Sequence, residues 1–148
     1  MMTPSPEATR AALLLTNRLV ALDAKPLTAR EFWQLTHRVD VGDLIGASPS
    51  EIEELAGVTV EESIRYRTLL DAATALGFEQ ERLADGGIEL ISALDATFPA
   101  RLRERLGSAC PPFLLVAGPI DLLGREALGV VGSRDADDGA LDAARRSA

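Results

Sequence analysis

At 148 residues and 47% apolar content, the chain can bury a core for one ordinary domain or two small ones. A single cysteine, Cys110, and a single histidine, His37, exclude an internal disulfide and a multi-histidine metal cage and favour a reducing, cytoplasmic setting with no cofactor. The net charge is −8, yet residues 1–94 carry eight basic and fifteen acidic side chains whereas residues 95–134 carry five and four, so the charge disfavours phosphate contacts in the first part and places cations on a par with acids only in the second.

The predicted elements begin with Ser5-Pro6-Glu7, an N-cap with proline at the first helical position, followed by Ala11, Leu14, Leu15, Leu19 and Leu22 at helical spacing. Thr28-Ala29-Arg30-Glu31 matches a capping box, and Phe32, Leu35 and Val39 form the apolar stripe of a second helix. Ser48-Pro49-Ser50-Glu51 starts a third helix ending near Gly57, and Thr59-Val60-Glu61-Glu62 caps a fourth expected to run to Gly77. Four helices without a strand predict a small all-helical domain over residues 1–84.

The pattern changes after Gly86-Gly87. Ile88-Glu89-Leu90-Ile91 is a strand-like run, Phe98-Pro99-Ala100-Arg101-Leu102 opens a short helix, and Pro111-Pro112 breaks the chain. Phe113-Leu114-Leu115-Val116 and Leu128-Gly129-Val130-Val131 read as buried strands, and a last helix starts among Asp135, Asp137 and Asp138. Strands alternating with helices predict a parallel α/β sheet over residues 85–148, of which only the first units are present. The longest apolar runs are far short of a membrane span, and Met1-Met2-Thr3-Pro4 carries no secretory pattern.

The chemistry concentrates in Val130-Val131-Gly132-Ser133-Arg134. In an open α/β sheet ligands bind beyond the carboxyl ends of strands, where helix N-terminal amides face an anion. Gly132 allows close approach of the backbone to a phosphate, the Ser133 hydroxyl can donate to it, and Arg134 offers a planar fork to its oxygens. Neither a dinucleotide fingerprint nor a Walker loop fits, because Arg134 and Asp137 stand where glycines would be needed and no Gly-Lys pair occurs. The alternative is a tight strand-to-helix turn with a solvated arginine. Asp135, Asp137 and Asp138 fit a capped first helical turn better than a calcium loop, which would need an oxygen ligand where Gly139 stands. His37 reads as a helix-surface or boundary residue and Cys110 as a small packed side chain. No nucleophile elbow is present, so neither catalysis nor a metal site is expected.

The order Ile88-Glu89-Leu90-Ile91, Asp95-Ala96-Thr97-Phe98-Pro99, Leu102, Pro111-Pro112-Phe113-Leu114-Leu115, Gly118 and Val130-Val131-Gly132-Ser133-Arg134 resembles the DprA/Smf family of DNA-processing proteins. The resemblance covers most of residues 88–139. It implies an α/β protein in which a helical domain similar to a sterile alpha motif precedes a Rossmann-like domain. It also implies single-stranded DNA binding, help in loading a RecA-type recombinase during DNA uptake, and a homodimer in the complete protein. The family's phosphate-contacting turn maps onto Gly132, Ser133 and Arg134, and a later glycine at the turn and helix start onto Gly139. Phe98 stands where the family usually has tyrosine, and the chain ends before the family's Ser-Gly and Gly-x-Asp loop, so an incomplete Rossmann-like domain is expected.

Two other functions compete. Ser48 to Thr59 followed by Val60 to Leu70 has the outline of a helix-turn-helix, but Glu61 and Glu62 occupy the positions that would meet base edges, with only Arg65 and Arg67 beyond them. A nucleotide-binding or nucleotide-hydrolysing relative of the same Rossmann superfamily would hold a mononucleotide phosphate at the Gly132 turn. The Pro-Gly-Gly catalytic loop of such hydrolases does not occur in the chain.

Overall fold

A computed structural model describes residues 5–126 and 137–147. Its first helix, α1 (Pro6–Thr16), starts as expected, with the Ser5 hydroxyl accepting from Ala8 N at 3.0 Å. It ends before the predicted Leu19 and Leu22, because Asn17 stops it. The Asn17 amide donates to Leu13 O at 2.7 Å, while its Oδ1 accepts from Leu19 N at 3.1 Å and Val20 N at 3.3 Å. One side chain thus satisfies the last helical carbonyls and folds the exit into a turn. Ala8, Ala11, Ala12, Leu13, Leu14 and Leu15 are all buried, so α1 is a central helix covered on most sides rather than a one-striped surface helix.

The three capping boxes are the most regular local feature. Thr28 and Glu31 satisfy each other's backbone amides at the start of α2 (Ala29–Thr36), Ser48 and Glu51 at α3 (Pro49–Ala56), and Thr59 and Glu62 at α4 (Val60–Leu70). Between α3 and α4 the chain turns at Gly57, whose φ of 62° and ψ of 42° are left-handed and favour glycine. The expected continuation of α4 to Gly77 does not occur. The backbone tightens at Asp71 and Ala72, where Ala72 N donates to Leu69 O at 3.3 Å and Arg67 grips the Asp71 carboxylate at 2.9 Å. A separate helix, α5 (Ala73–Asp85), then passes through Gly77 and buries Leu76 and Leu83. Its exit is the left-handed Gly87, φ 73°.

The sheet differs from the sequence expectation. The described strands, β1 (Ile88–Ser92) and β2 (Phe113–Ala117), pair antiparallel, with Leu90 opposite Leu115 and Ser92 opposite Phe113. The segment between them explains why. A parallel crossover must carry the chain back along the strand, but α6 (Ala100–Leu106) has only seven residues, about 10 Å of rise. Ala93 N also donates to Pro112 O at 2.7 Å, which holds the start of β2 beside the end of β1. The predicted strand Leu128–Val131 lies outside the described residues. The last helix, α7 (Asp138–Ser147), begins where the aspartates placed it, with Asp137 Oδ1 accepting from Ala140 N at 2.8 Å.

Packing runs across the Gly86-Gly87 turn. Phe98 and Cys110 belong to the same buried cluster as Leu14, Phe32, Trp33 and Leu69. Thr9 Oγ1 donates to Asp95 Oδ1 at 2.8 Å, joining α1 to the turn after β1. The buried Trp33 indole donates to Cys110 O at 2.7 Å, while its ring meets Phe32 edge-on at 4.9 Å. Trp33→Phe removes the donor and leaves that carbonyl buried without its partner. The expected cost is about 1–3 kcal/mol, read by urea denaturation followed by circular dichroism; an unchanged midpoint would show the bond to be dispensable.

Glu31 carries a pH dependence. Partial burial alone would raise its pKa, but the Thr28 backbone amide, the Arg65 guanidinium and the Thr28 hydroxyl together outweigh it and bring the pKa from 4.5 to about 2. A carboxylate with a depressed folded pKa stabilises the fold above its ordinary value and loses that contribution as pH falls through the folded one. Wild type is therefore expected to be more stable than Glu31→Gln at pH 7, with the gap closing between pH 4.5 and about 2. A gap that persists at pH 2 in paired urea melts would refute the assignment.

Candidate nucleic-acid interface

The turn Gly132-Ser133-Arg134 falls at residues outside those described. Gly139 is described, in the first turn of α7 and exposed, with Asp137 Oδ1 3.4 Å from where a Cβ would stand. The four arginines that precede the turn in the cation-richer stretch are all described, and the structure divides them into two kinds.

Arg103 turns inward. Its guanidinium lies 3.4 Å from the centroid of a Trp33 ring, and its Nη1 donates to Gly107 O at 3.1 Å. It braces α6 against α2 by a cation–π contact and closes the C-terminal end of its own helix. Its charge alone does not separate it from its neighbours. The cue lies in spacing, since Arg101 and Arg105 flank it at two positions and a helix turns such neighbours to different faces.

Arg101, Arg105 and Arg125 instead line one open groove of about 350 Å³, together with Pro99, Leu102, Leu114 and Leu123. All three arginines are exposed. Two have carboxylates nearby: Arg125 meets Asp121 at 3.1 Å, and Arg101 meets Glu126 at 3.8 Å, in pairs more than half exposed on both sides. Exposed pairs of this kind contribute only about 0–1 kcal/mol, so an incoming anion can replace them. The groove sits between α6, β2 and the short 3-10 turn Ile120–Gly124.

The α3–α4 pair offers much less to DNA. Arg65 donates to Lys25 O at 2.7 Å, Pro26 O at 3.1 Å and Glu31 at 3.1 Å, while Arg67 donates to Ala47 O at 2.8 Å and to Asp71. The cations that a duplex reader would extend are committed to the protein's own backbone and carboxylates. Glu62 sits at the start of α4, its pKa lowered chiefly by the hydrogen bond from the Thr59 backbone, and there it would repel phosphate.

The residues considered for catalysis are structural. Cys110 is fully buried and its thiol faces Pro111 O at 3.6 Å. Burial pushes its pKa up, against the opposing pull of Arg103, the reverse of what an attacking thiolate needs. His37 is exposed, its Nδ1 against Trp33 O at the end of α2. Among the described residues no group of three or more histidine, cysteine or carboxylate side chains could hold a metal ion. Among them, too, no helix is long and apolar enough to cross a membrane.

Residues 89–148 match the family of DNA recombination-mediator protein A. The matched segment begins one residue into β1, contains the arginine groove, and includes Gly132, Ser133, Arg134 and Gly139. It leaves out α1–α5. No curated protein and no solved structure matches the chain.

The two kinds of arginine separate experimentally. Arg103→Ala is expected to cost about 0.5–2 kcal/mol of stability and to shift the emission of Trp33, the sole tryptophan, without changing the salt dependence of DNA binding. A flatter salt slope in that variant would make Arg103 a DNA contact.

Proposed function

We propose that this chain binds single-stranded DNA through phosphate contacts at Gly132, Ser133 and Arg134 and acts as a recombination mediator that assists a RecA-type recombinase, without catalysis of its own. The observation that carries this reading is the match of residues 89–148 to DNA recombination-mediator protein A, inside which the glycine-serine-arginine triplet falls. The charge distribution agrees with it, because residues 95–134, which lie inside the matched segment, carry five basic and four acidic side chains, whereas residues 1–94 carry eight and fifteen.

In this reading residues 1–84 form a helical domain similar to a sterile alpha motif, and residues 85–148 belong to a Rossmann-like domain whose ligand turn follows the run Leu128–Val131. Gly139 lets the helix after that turn start close to the DNA backbone. Asp135, Asp137 and Asp138 moderate affinity, because they complement the positive end of α7 while opposing phosphate. The protein works in the cytoplasm, and its partners are single-stranded DNA, the recombinase and a second copy of itself.

Arg134→Ala tests the reading. It is expected to weaken binding of a labelled single-stranded oligonucleotide by about 1–3 kcal/mol, with the fold intact by circular dichroism and no change in sequence preference. The dependence of log affinity on log salt should flatten by about 0.7, one phosphate contact on a single strand. Unchanged affinity and slope in fluorescence anisotropy would reduce the triplet to a structural turn, and preferential binding of a mononucleotide would favour a nucleotide-binding relative instead.

A further inference from the structure

We propose that the groove formed by Arg101, Arg105 and Arg125 is a second contact surface for single-stranded DNA, separate from the Gly132-Ser133-Arg134 turn. The inference deepens the proposed function and rests on it for the identity of the ligand; the surface itself is read from geometry.

Three features point to a strand of nucleic acid rather than to a small anion. The cations are all arginines, whose planar guanidinium groups pair with phosphate oxygens and lie against flat apolar surfaces. They share the groove with Leu102, Leu114, Leu123 and Pro99, which give it an apolar floor. A lone phosphate or carboxylate has no use for such a floor, whereas an unstacked base can cover it while its ring lies against a guanidinium plane. The groove, of about 350 Å³, is open to solvent, so a chain can enter and leave it. The floor is also partly uncovered, with Leu123 38% exposed, and an apolar strip between charges gains by being covered.

Single strands are favoured over duplex because the bases of a duplex are stacked and paired and cannot reach such a floor, while a single strand presents both its phosphates and its base faces. Asp121 and Glu126 belong to the design. With no ligand they hold Arg125 and Arg101; with DNA bound, the phosphates take over the guanidinium groups and the carboxylates return to water. The exchange keeps binding reversible and sensitive to salt. Arg105 has no such carboxylate among the ion pairs of the described residues and is the cation most open to an incoming phosphate.

The test uses the full chain and a fluorescein-labelled thymidine oligonucleotide at low salt. The variant Arg101→Ala/Arg105→Ala/Arg125→Ala removes exposed side chains, so its thermal midpoint should stay near wild type. Its affinity should fall by about ten- to a hundredfold and its salt slope by about 2, at roughly 0.7 per phosphate contact. A control variant, Arg10→Ala/Arg18→Ala/Arg30→Ala, removes the same net charge from exposed positions elsewhere and should cost far less. The triple Arg→Lys version of the groove should keep most of the slope while losing affinity, since lysine keeps the charge but not the planar group.

Equal losses in the groove and control variants would overturn the proposal and leave only a general charge effect. Wild-type affinity in the groove variant, with a loss in Arg134→Ala, would overturn the groove and leave the proposed function standing. A loss in the groove variant with none in Arg134→Ala would support the groove and remove the triplet. No binding by wild type to single strands, or tighter binding to duplex, would overturn both.

Discussion

The bond from the Trp33 indole to the Cys110 carbonyl organises the described part of the molecule. It crosses seventy-seven positions of sequence in one buried contact of 2.7 Å, fixing the end of the α6 segment onto the second helix. Once Cys110 is held there, Pro111 and Pro112 direct the chain into β2, and the bond from Ala93 N to Pro112 O sets β2 beside β1. Arg103 covers the face of the same indole, so the aromatic ring is gripped by a backbone acceptor at its edge and a cation on its face. With so few aromatic residues in the chain, this one carries a large share of the long-range order, because an indole combines a broad apolar surface with a donor that must find a partner when buried.

That anchoring affects the surface that faces away from it. By drawing Arg103 inward, Trp33 leaves Arg101 and Arg105 on the opposite side of a short helix, where the turn after β2 brings Arg125 to meet them. The positive groove follows from the internal packing, and its cations converge because the helix is fixed in rotation. The arginines of α4, by contrast, are held by backbone carbonyls and carboxylates. The exposed cations Arg101, Arg105 and Arg125 thus gather on one groove of the segment after β1, while the helical part before it carries the larger acidic excess.

The match of residues 89–148 to DNA recombination-mediator protein A covers that second part. The helical part precedes it as a packed support. α1 lies against both, with Thr9 bonded to Asp95 and the apolar face of the helix inside a cluster that also takes in Phe98 and Cys110. The groove beside α6 and β2 therefore sits on a segment that packs against the helical core.

The sequence by itself determined what depends on neighbours within one turn. The three Ser/Thr-to-Glu capping boxes, the prolines at the first helical positions, the glycine between α3 and α4 and the apolar runs of β1 and β2 were all legible, because each is a contact between residues a few positions apart. The glycine-serine-arginine triplet lies outside the described residues. Tertiary structure alone decided the rest. Asn17 ended α1 where apolar spacing continued, the chain broke at Asp71 and Ala72 instead of at Gly77, and the strands paired antiparallel instead of parallel. The arginines too were sorted there, Arg65, Arg67 and Arg103 to internal acceptors and Arg101, Arg105 and Arg125 to the groove. Each outcome turned on a partner far away in sequence or on competition between two acceptable local conformations, and such choices are settled by which arrangement buries the core and satisfies its polar groups.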